Sequence, residues 1–175
     1  MRRLVLFDID GTLLMAGGSG KRAIQAAMMQ VYGTAGPIDH YSFGGRTDPQ
    51  IVTELLAAEG WEREAVEAGF PVLWRAYLAN LRRELQACTV RTLPGVPALL
   101  DAVEARGGEV LLGLLTGNVA EGAKLKMDAA GLGFSRFAVG AYGSDHGARP
   151  ELPAIAARRA LESTGVAYRG KEIVI

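Results

Sequence analysis

Two aspartates at the end of a short apolar run are the residues in this sequence best suited to chemistry. In the run LVLFDIDGTLL, Asp8 and Asp10 are two positions apart. Alternate residues of a strand share a face, so both carboxylates are predicted to point the same way at the strand's carboxyl end. Two carboxylates so close together can hold a cation or share a proton, and one can act as a nucleophile. The alternative interpretation is that the two acids simply close the strand.

The residues around this pair could bind a ligand or take part in a reaction. Gly11 permits a sharp change of chain direction, and Thr12 offers a hydroxyl and a backbone amide to a ligand. A second carboxylate beside a nucleophile can protonate a leaving oxygen and later activate water. The stretch therefore predicts a ligand site at the end of the first strand.

Alternating strand and helix patterns predict the elements that would position these residues. Apolar runs typical of buried strands begin at Leu4, Glu109, Phe137 and Glu172. Helical patterns that end at glycines separate the later runs, as expected for βαβ units. The predicted fold class is therefore α/β, a Rossmann-like core with a mainly parallel sheet and helices on both faces.

The stretch between the first and second core strands departs from this alternation, because it has helical patterns throughout. Its longest helix is predicted to begin at Phe70, and Asp48 is predicted to be the N-cap of an earlier helix. We therefore predict two units. An α/β hydrolase core comprises residues 1–15 and 92–175, and an inserted all-helical cap comprises residues 16–91.

Composition and charge exclude several classes of protein. The 175 residues include 19 Lys and Arg and 19 Asp and Glu, so neither a nucleic-acid-binding surface nor an acidic disordered tail is expected. The longest apolar run is too short to cross a bilayer, and no signal peptide is evident, so no membrane partner is expected. The single cysteine, Cys88, favours a reducing compartment, and we predict a cytoplasmic protein.

The chain resembles the haloacid dehalogenase superfamily, whose first motif is an apolar strand followed by D-x-D-G-T. The sequence FDIDGTLL matches that motif, and LLTGN, which contains Thr116, is similar to the second motif. The helical insertion lies where the family places its small helical cap. The resemblance extends along the whole chain and implies a phosphohydrolase with an aspartate nucleophile.

The resemblance implies a role for each matching residue. Asp8 would be the nucleophile and Asp10 the general acid and base. Asp8 and the backbone carbonyl of Asp10 would also hold Mg²⁺, the implied cofactor, which reduces the repulsion between carboxylate and phosphate. Thr116 would hydrogen-bond the phosphoryl group, and the other residues implied to contact substrate are Gly11, Thr12, Gly117 and Asn118. Because the dehalogenases of the family lack an aspartate at the position of Asp10, its presence favours ester hydrolysis.

The family's third motif is usually a lysine that neutralises the nucleophile and the phosphate. In SDHGARPEL, Arg149 stands where that lysine is expected, and a similar subgroup carries R-x-E-L there. A guanidinium is permanently charged and binds phosphate through several donors, so Arg149 can take this role. Lys124 and Lys126, on the helix after the second motif, remain alternatives, and any of the three can instead be a solvated surface residue.

The family's fourth motif is an acidic loop that directly follows a strand such as EIVI and supplies further Mg²⁺ ligands. The sequence ends on that strand, at Ile175. We therefore expect a chain truncated at its C-terminus before this loop. Such a chain would bind Mg²⁺ weakly, mostly through water ligands, and would be a poor catalyst compared with its full-length parent.

The stretch FGGRTDPQ is the most informative part of the predicted cap. Arg46 is expected either to contact an anionic substrate or to pair with Asp48 or face water. The stretch is similar to phosphoglycolate-phosphatase-like relatives. We therefore expect a Mg²⁺-dependent phosphomonoesterase that acts on a small phosphorylated metabolite. A phosphomutase of the same superfamily and a non-catalytic binding protein that keeps the fold remain alternatives.

Overall fold

The chain forms alternating strands and helices in a computed structural model that describes residues 2–175. The strands are β1 (Arg3–Phe7), β2 (Leu14–Met15), β3 (Arg91–Thr92), β4 (Val110–Thr116), β5 (Val139–Tyr142) and β6 (Ile173–Val174). The α-helices are α1 (Ser19–Tyr32), α2 (Asp48–Ala57), α3 (Arg63–Ala87), α4 (Val96–Glu104), α5 (Ala120–Ala129) and α6 (Leu152–Thr164). None of the helices in residues 2–175 combines the length and the apolar character needed to span a bilayer.

Four of the strands form one parallel sheet in the order β5-β4-β1-β6. The first strand pairs with β4 from Arg3 opposite Val110 to Phe7 opposite Leu114. Because both strands run in the same direction, the residues that follow β1 lie next to the residues that end β4. This register brings the two predicted catalytic motifs to the same edge of the sheet, and it confirms the predicted α/β fold class.

Apolar residues cover both faces of this sheet. One cluster joins Leu4 and Leu6 of β1 to Leu152, Ala156 and other buried residues of α6. A second cluster lies on the opposite face and includes buried residues of β4 and of the helices α1, α2, α3, α4 and α5. The helices therefore cover both faces of the sheet, as predicted, and a packed core supports the loops that carry the two predicted motifs.

A short antiparallel ribbon joins the helical segment to the sheet. Leu14 of β2 pairs with Thr92 of β3, and Met15 pairs with Arg91. The ribbon lies at both predicted boundaries of the cap, although neither of its strands was expected from the sequence. Helices α1, α2 and α3 lie between its two strands, so the helical segment leaves and rejoins the core at one place.

Helix α3 is longer than the sequence predicted. It begins at Arg63, seven residues before the predicted start at Phe70, and Pro71 lies inside it. A proline in a helix removes one backbone hydrogen bond. Packing of the buried residues Val66 and Leu73 on either side of the proline offsets that loss. The stability of this helix therefore comes from tertiary contacts, which local propensity does not report.

Gly113, in the centre of β4, is expected to tolerate no side chain. A Cβ at this position would lie 2.7 Å from Leu6 Cδ2 and 2.9 Å from Val139 Cγ2. Gly113→Ala should therefore lower the free energy of unfolding by about 1–3 kcal/mol, measured by urea denaturation. Gly108→Ala is the control, because a Cβ there meets no atom within 4 Å. Equal denaturation midpoints for the two variants would contradict the expectation.

Candidate active site

A cleft of about 380 Å³ lies between the ends of β1 and β4 and the helical segment. Most of the residues singled out in the sequence line it, namely Asp8, Asp10, Gly11, Arg46, Thr116, Gly117, Asn118, Lys126 and Arg149. Thr12 and Lys124 are not among the lining residues. The fold therefore gathers residues from four separate stretches of sequence around one cavity.

Asp8 is held in place by hydrogen bonds to both of its carboxylate oxygens. The backbone N–H of Ile9 donates to Oδ1 at 2.8 Å, and Nη2 of Arg149 donates to Oδ2 at 2.7 Å. The side chains of Asp8 and Arg149 are 30% and 23% exposed, so the pair is partly open to the cleft. Arg149 lies at the start of a short 3₁₀ turn that leads into α6, which fixes its backbone. The remaining guanidinium donors are available for an oxyanion next to Asp8.

Asp10 lies beside a buried lysine. Nζ of Lys126 donates to Oδ1 at 2.9 Å and to Oδ2 at 2.7 Å, and Nδ2 of Asn118 donates to Oδ2 at 2.8 Å. Burial acts to raise the pKa of Asp10, but Lys126, Asn118 and the more distant Arg149 together hold it below its ordinary value. The carboxylate remains 45% exposed, because the cleft opens onto it. Asp10 is therefore an anion that is screened by protein cations and accessible to a ligand.

The three cations considered for the third motif have different positions. Arg149 contacts Asp8, whereas Lys126 contacts Asp10, so both are in the cleft and each faces a different carboxylate. Lys124 lies on the outer side of α5, where it pairs with Asp128 at 2.5 Å and its side chain is 58% exposed. Two of the candidates thus belong to the site, and Lys124 is a solvated residue.

The second motif forms a tight group at the end of β4. Thr116 is fully buried, and its Oγ1 accepts from the backbone N–H of Asn118 at 3.3 Å and from Nδ2 of Asn118 at 2.7 Å. The Thr116 hydroxyl therefore keeps its own proton for another acceptor. The side chain of Asn118 links Thr116, Asp10 and Lys126.

The turn after Asp10 places two predicted contact residues differently. Gly11 adopts a φ of 79°, which favours glycine, and it lines the cleft. The backbone N–H of Thr12 donates to the carbonyl of Ile9 at 3.2 Å, and the residue is exposed. The amide of Thr12 is thus engaged in closing the turn, and the structure does not bring Thr12 into the cleft.

Arg46 lines the cleft but is engaged with its own loop. Its Nε donates to Glu54 at 3.2 Å, its Nη1 donates to the carbonyl of Ser42 at 2.9 Å, and its guanidinium lies 5.0 Å from the ring centre of Tyr41. These contacts replace the pairing with Asp48 that was considered from the sequence. An anionic substrate would have to compete with Glu54 for Arg46.

Asp48 is the site residue that sequence reasoning missed. It was predicted to be the N-cap of α2, but Thr47 is the N-cap, since its side chain accepts from the N–H of Gln50. Asp48 is only 9% exposed, and its Oδ2 accepts from the N–H of Val119 at 2.9 Å. Burial raises its pKa to about 6, despite the opposing effects of Lys126 and the Val119 amide. No local sequence signal marks this role, because the contact that holds Asp48 is made by Val119, which is far away in the sequence.

Asp48→Asn is expected to raise the free energy of unfolding at pH 8 by up to about 3 kcal/mol. A pKa raised from 3.8 to about 6 corresponds to roughly that energy. The folded protein binds this proton more tightly than the unfolded chain does, so the wild type loses stability as the pH rises from about 4 to about 6. Lys126, Asp10 and Tyr77 are the ionisable groups coupled to Asp48.

Urea denaturation at pH 8 and at pH 4 measures this effect. The difference in stability between Asp48→Asn and the wild type should be present at pH 8 and should vanish near pH 4, where Asp48 is protonated. A difference of the same size at both pH values would contradict the expectation.

The described residues do not supply a complete metal site. Within residues 2–175, no group of three or more His, Cys, Asp or Glu side chains is placed to hold a metal ion. Asp8 already accepts from Arg149, and Asp10 already accepts from Lys126. A hard cation such as Mg²⁺ needs about six oxygen ligands, of which these residues offer few. The residues present therefore fit the predicted Mg²⁺ only in part.

Comparisons with known proteins identify the fold. No protein-family model matches the chain, and no curated protein matches its sequence. Among solved structures, CbbY from Rhodobacter sphaeroides in complex with phosphate is similar with a TM-score of 0.62 and 16% identity over 91% of this chain and 73% of that one. A phosphoglycolate phosphatase predicted in Haemophilus somnus has a TM-score of 0.62 and 21% identity over 98% of this chain and 75% of that one.

A haloacid dehalogenase-like hydrolase from Streptococcus pneumoniae is also similar, with a TM-score of 0.56 and 16% identity over 96% of this chain and 72% of that one. The chain therefore has the fold of haloacid dehalogenase-like phosphatases, as its motifs predicted. It spans about three quarters of the length of each of these three structures.

Proposed function

We propose that the chain is a phosphomonoester hydrolase that uses Asp8 as its nucleophile. The observation that carries the proposal is the paired arrangement of charges in one cleft. Asp8 lies against Arg149 and Asp10 lies against Lys126. Both aspartates follow β1, which pairs with β4, the strand that ends at Thr116. An acid-only site would repel a phosphate, whereas each carboxylate here has a cation beside it. The fold shared with phosphatases supports the same proposal.

In the first step, one carboxylate oxygen of Asp8 attacks the phosphorus of the ester. The bond from phosphorus to the ester oxygen breaks, and the leaving alkoxide takes a proton from Asp10. The free donors of Arg149 and the hydroxyl proton of Thr116 can each bind an oxygen of the phosphoryl group. A phosphoryl group beside Asp10 adds negative charge, which raises the pKa of that carboxyl and favours the protonated form needed here.

In the second step, water attacks the phosphorus of the aspartyl-phosphate. Asp10, now a carboxylate, accepts the proton of that water. The bond between phosphorus and the Asp8 oxygen breaks, which releases inorganic phosphate and restores the free carboxylate. Lys126 and Asn118 hold Asp10 in one position for both proton transfers, since together they donate three hydrogen bonds to it.

Mg²⁺ belongs to the proposal only as an expectation. If it binds, Asp8 and the backbone carbonyl of Asp10 are the groups that would hold it, and it would reduce the repulsion between the carboxylate and the phosphate. Within residues 2–175, no third acidic or histidine side chain stands beside these two groups to complete its ligand set.

The proposed substrate is a small phosphorylated metabolite. The cleft has room for one such molecule, and Arg46 and Lys21 on its cap side favour an anionic or polar end. Phosphoglycolate fits this description, and the similar CbbY protein was crystallised with xylulose-(1,5)bisphosphate.

The unpaired thiol of Cys88 is in keeping with a reducing compartment such as the cytoplasm.

The test is release of inorganic phosphate from an aryl phosphate in the presence of Mg²⁺, with acid quenching during turnover. Mass spectrometry of the quenched protein should find a phosphoryl group on the peptide that contains Asp8. Phosphate release without that adduct in any quench would contradict the aspartyl route. A sugar phosphate that is isomerised without phosphate release would indicate the mutase. Absence of both reactions, with phosphate binding retained, would indicate a binding protein.

A further inference from the structure

Residues 46–48 of the helical segment lie between two loops of the core and contact both. The backbone N–H of Asp48 donates to the carbonyl of Gly117 at 2.7 Å, and Oγ1 of Thr47 donates to the carbonyl of Gly147 at 2.5 Å. The N–H of Val119 donates to the Asp48 carboxylate at 2.9 Å. Loop 46–48 is thus bonded to the loop after β4 and to the loop after β5.

Two glycines of the core permit this close approach. A Cβ on Gly117 would overlap the carbonyl oxygen of Arg46, and a Cβ on Gly143 would overlap the carbonyl oxygen of Gly117. The same Cβ on Gly143 would lie 3.1 Å from Cβ of Thr47. Backbone therefore packs directly on backbone at this contact, and no space is left here between the helical segment and the core.

The contact also bears on the catalytic groups through α5. Val119 is the N-cap residue of α5, and its own side chain makes no capping hydrogen bond. The carboxylate of Asp48 instead accepts its N–H from outside the helix, at the end where a negative charge is favourable. Two turns further along the same helix, Lys126 donates to Asp10. The helical segment therefore helps to fix the helix that holds the proposed acid and base.

We propose that Thr47 and Asp48 form a latch that holds the cap closed on the core, and that Asp48 is a positioning residue for Lys126 and Asp10. Its effect on catalysis rests on the proposed phosphatase function, whereas its effect on closure does not. The raised pKa of Asp48 supports the proposal, because a protein that keeps a buried carboxylate charged at neutral pH does so at a cost in stability. A solvated or purely capping aspartate would be expected to have an ordinary pKa.

The primary test is amide hydrogen exchange of Val119, followed by NMR in the wild type and in variants. Asp48→Ala removes the acceptor and should increase the exchange rate of the Val119 amide at least about tenfold, through opening of this contact. Asp48→Asn keeps an oxygen that can accept the same bond and should restore most of the protection. Glu59→Ala is the control, because Glu59 is exposed and lies just after α2, the helix that begins at Asp48.

The second readout is the turnover of an aryl phosphate by the same proteins. Asp48→Ala should lower kcat about 10- to 100-fold, because a small displacement of α5 misplaces Lys126 and Asp10. Thr47→Val loses the bond to Gly147 and the cap bond from Gln50, but it leaves the bond between Asp48 and Val119 in place, so it should increase Val119 exchange less than Asp48→Ala does.

Unchanged Val119 exchange in Asp48→Ala, in protein whose global stability is measured in parallel, would overturn the latch. Loss of turnover in Asp48→Ala with wild-type protection of Val119 would overturn the positioning role. If the wild type shows no turnover at all, the proposed function fails, and the exchange data still decide whether the latch exists.

Discussion

Asp8→Asn is expected to lower the release of phosphate from an aryl phosphate by about 10³-fold or more. The amide oxygen of asparagine is a much weaker nucleophile than a carboxylate oxygen, so the aspartyl-phosphate cannot form. The substitution preserves volume, and the asparagine oxygen can still accept a hydrogen bond from the N–H of Ile9 or from Arg149. The loss should therefore appear in kcat, while the urea midpoint changes little.

The matched control is Asp101→Asn, the same change of side chain at an exposed ion pair with Arg136. That variant should keep wild-type turnover. If Asp8→Asn also keeps turnover within about tenfold of the wild type, Asp8 is not the nucleophile and the proposed mechanism is wrong. If the phosphoryl adduct persists on a different peptide in Asp8→Asn, another residue is the nucleophile.

The part of the site that follows from the two core strands could be predicted from sequence. A continuous apolar run identifies a strand buried on both faces, as for β1 and β4, and such strands end at the ligand-binding edge of a parallel sheet. Asp8 and Thr116 directly follow or end these runs. Their proximity therefore depended only on strand pairing, which the parallel topology nearly fixes.

The part of the site that depends on how helices face the core was harder to predict. Lys124 and Lys126 are two residues apart and thus lie on opposite sides of α5. The buried residues Gly122, Ala123 and Met127 mark the inner side of that helix, and Lys126 lies with them. This periodicity was available in the sequence and could have selected Lys126 as the lysine of the site.

Asp48 shows the limit of local sequence analysis. The pattern of Thr47, Asp48 and a following proline correctly predicted the start of a helix, but the choice of cap between two adjacent polar residues was wrong. Both residues are buried, and the role of Asp48 depends on a contact with Val119, a residue that is 71 positions away in the sequence. Only the docking of the helical segment on the core decides it.

The three carboxylates that line the cleft are Asp8, Asp10 and Asp48, and the cations on the core side of it are Arg149 and Lys126. Asp8 is paired with Arg149, and Asp10 is paired with Lys126. The charge of Lys126 also acts on Asp48, but among the described residues no side-chain cation lies within hydrogen-bonding distance of Asp48. Burial therefore raises the pKa of Asp48, whereas at Asp10 the hydrogen bonds from Lys126 and Asn118 and the charges of Lys126 and Arg149 outweigh burial and lower the pKa. Lys126 is the group on which both carboxylates depend.

Lys126→Met is consequently expected to affect both stability and activity. The free energy of unfolding at pH 8 should fall by about 3 kcal/mol, because the buried carboxylate of Asp48 loses the cation that lowers its pKa and Asp10 loses two of its three side-chain hydrogen bonds. At pH 5 the loss should be smaller, since Asp48, whose pKa is raised, is then largely protonated and needs no counter-ion. Turnover should fall about 10²-fold, the usual contribution of a positioned acid and base.

Lys124→Met provides the matched control, because it removes the same charge from the same helix at an exposed position, where the lysine pairs with Asp128. Its effect on stability should stay within about 0.5 kcal/mol, the range of a surface ion pair, and its turnover should be unchanged. If the two variants behave alike, Lys126 does not hold Asp10 in the working enzyme. If Lys126→Met loses stability equally at pH 5 and pH 8, the dependence of Asp48 on Lys126 is wrong, although the contact with Asp10 would stand.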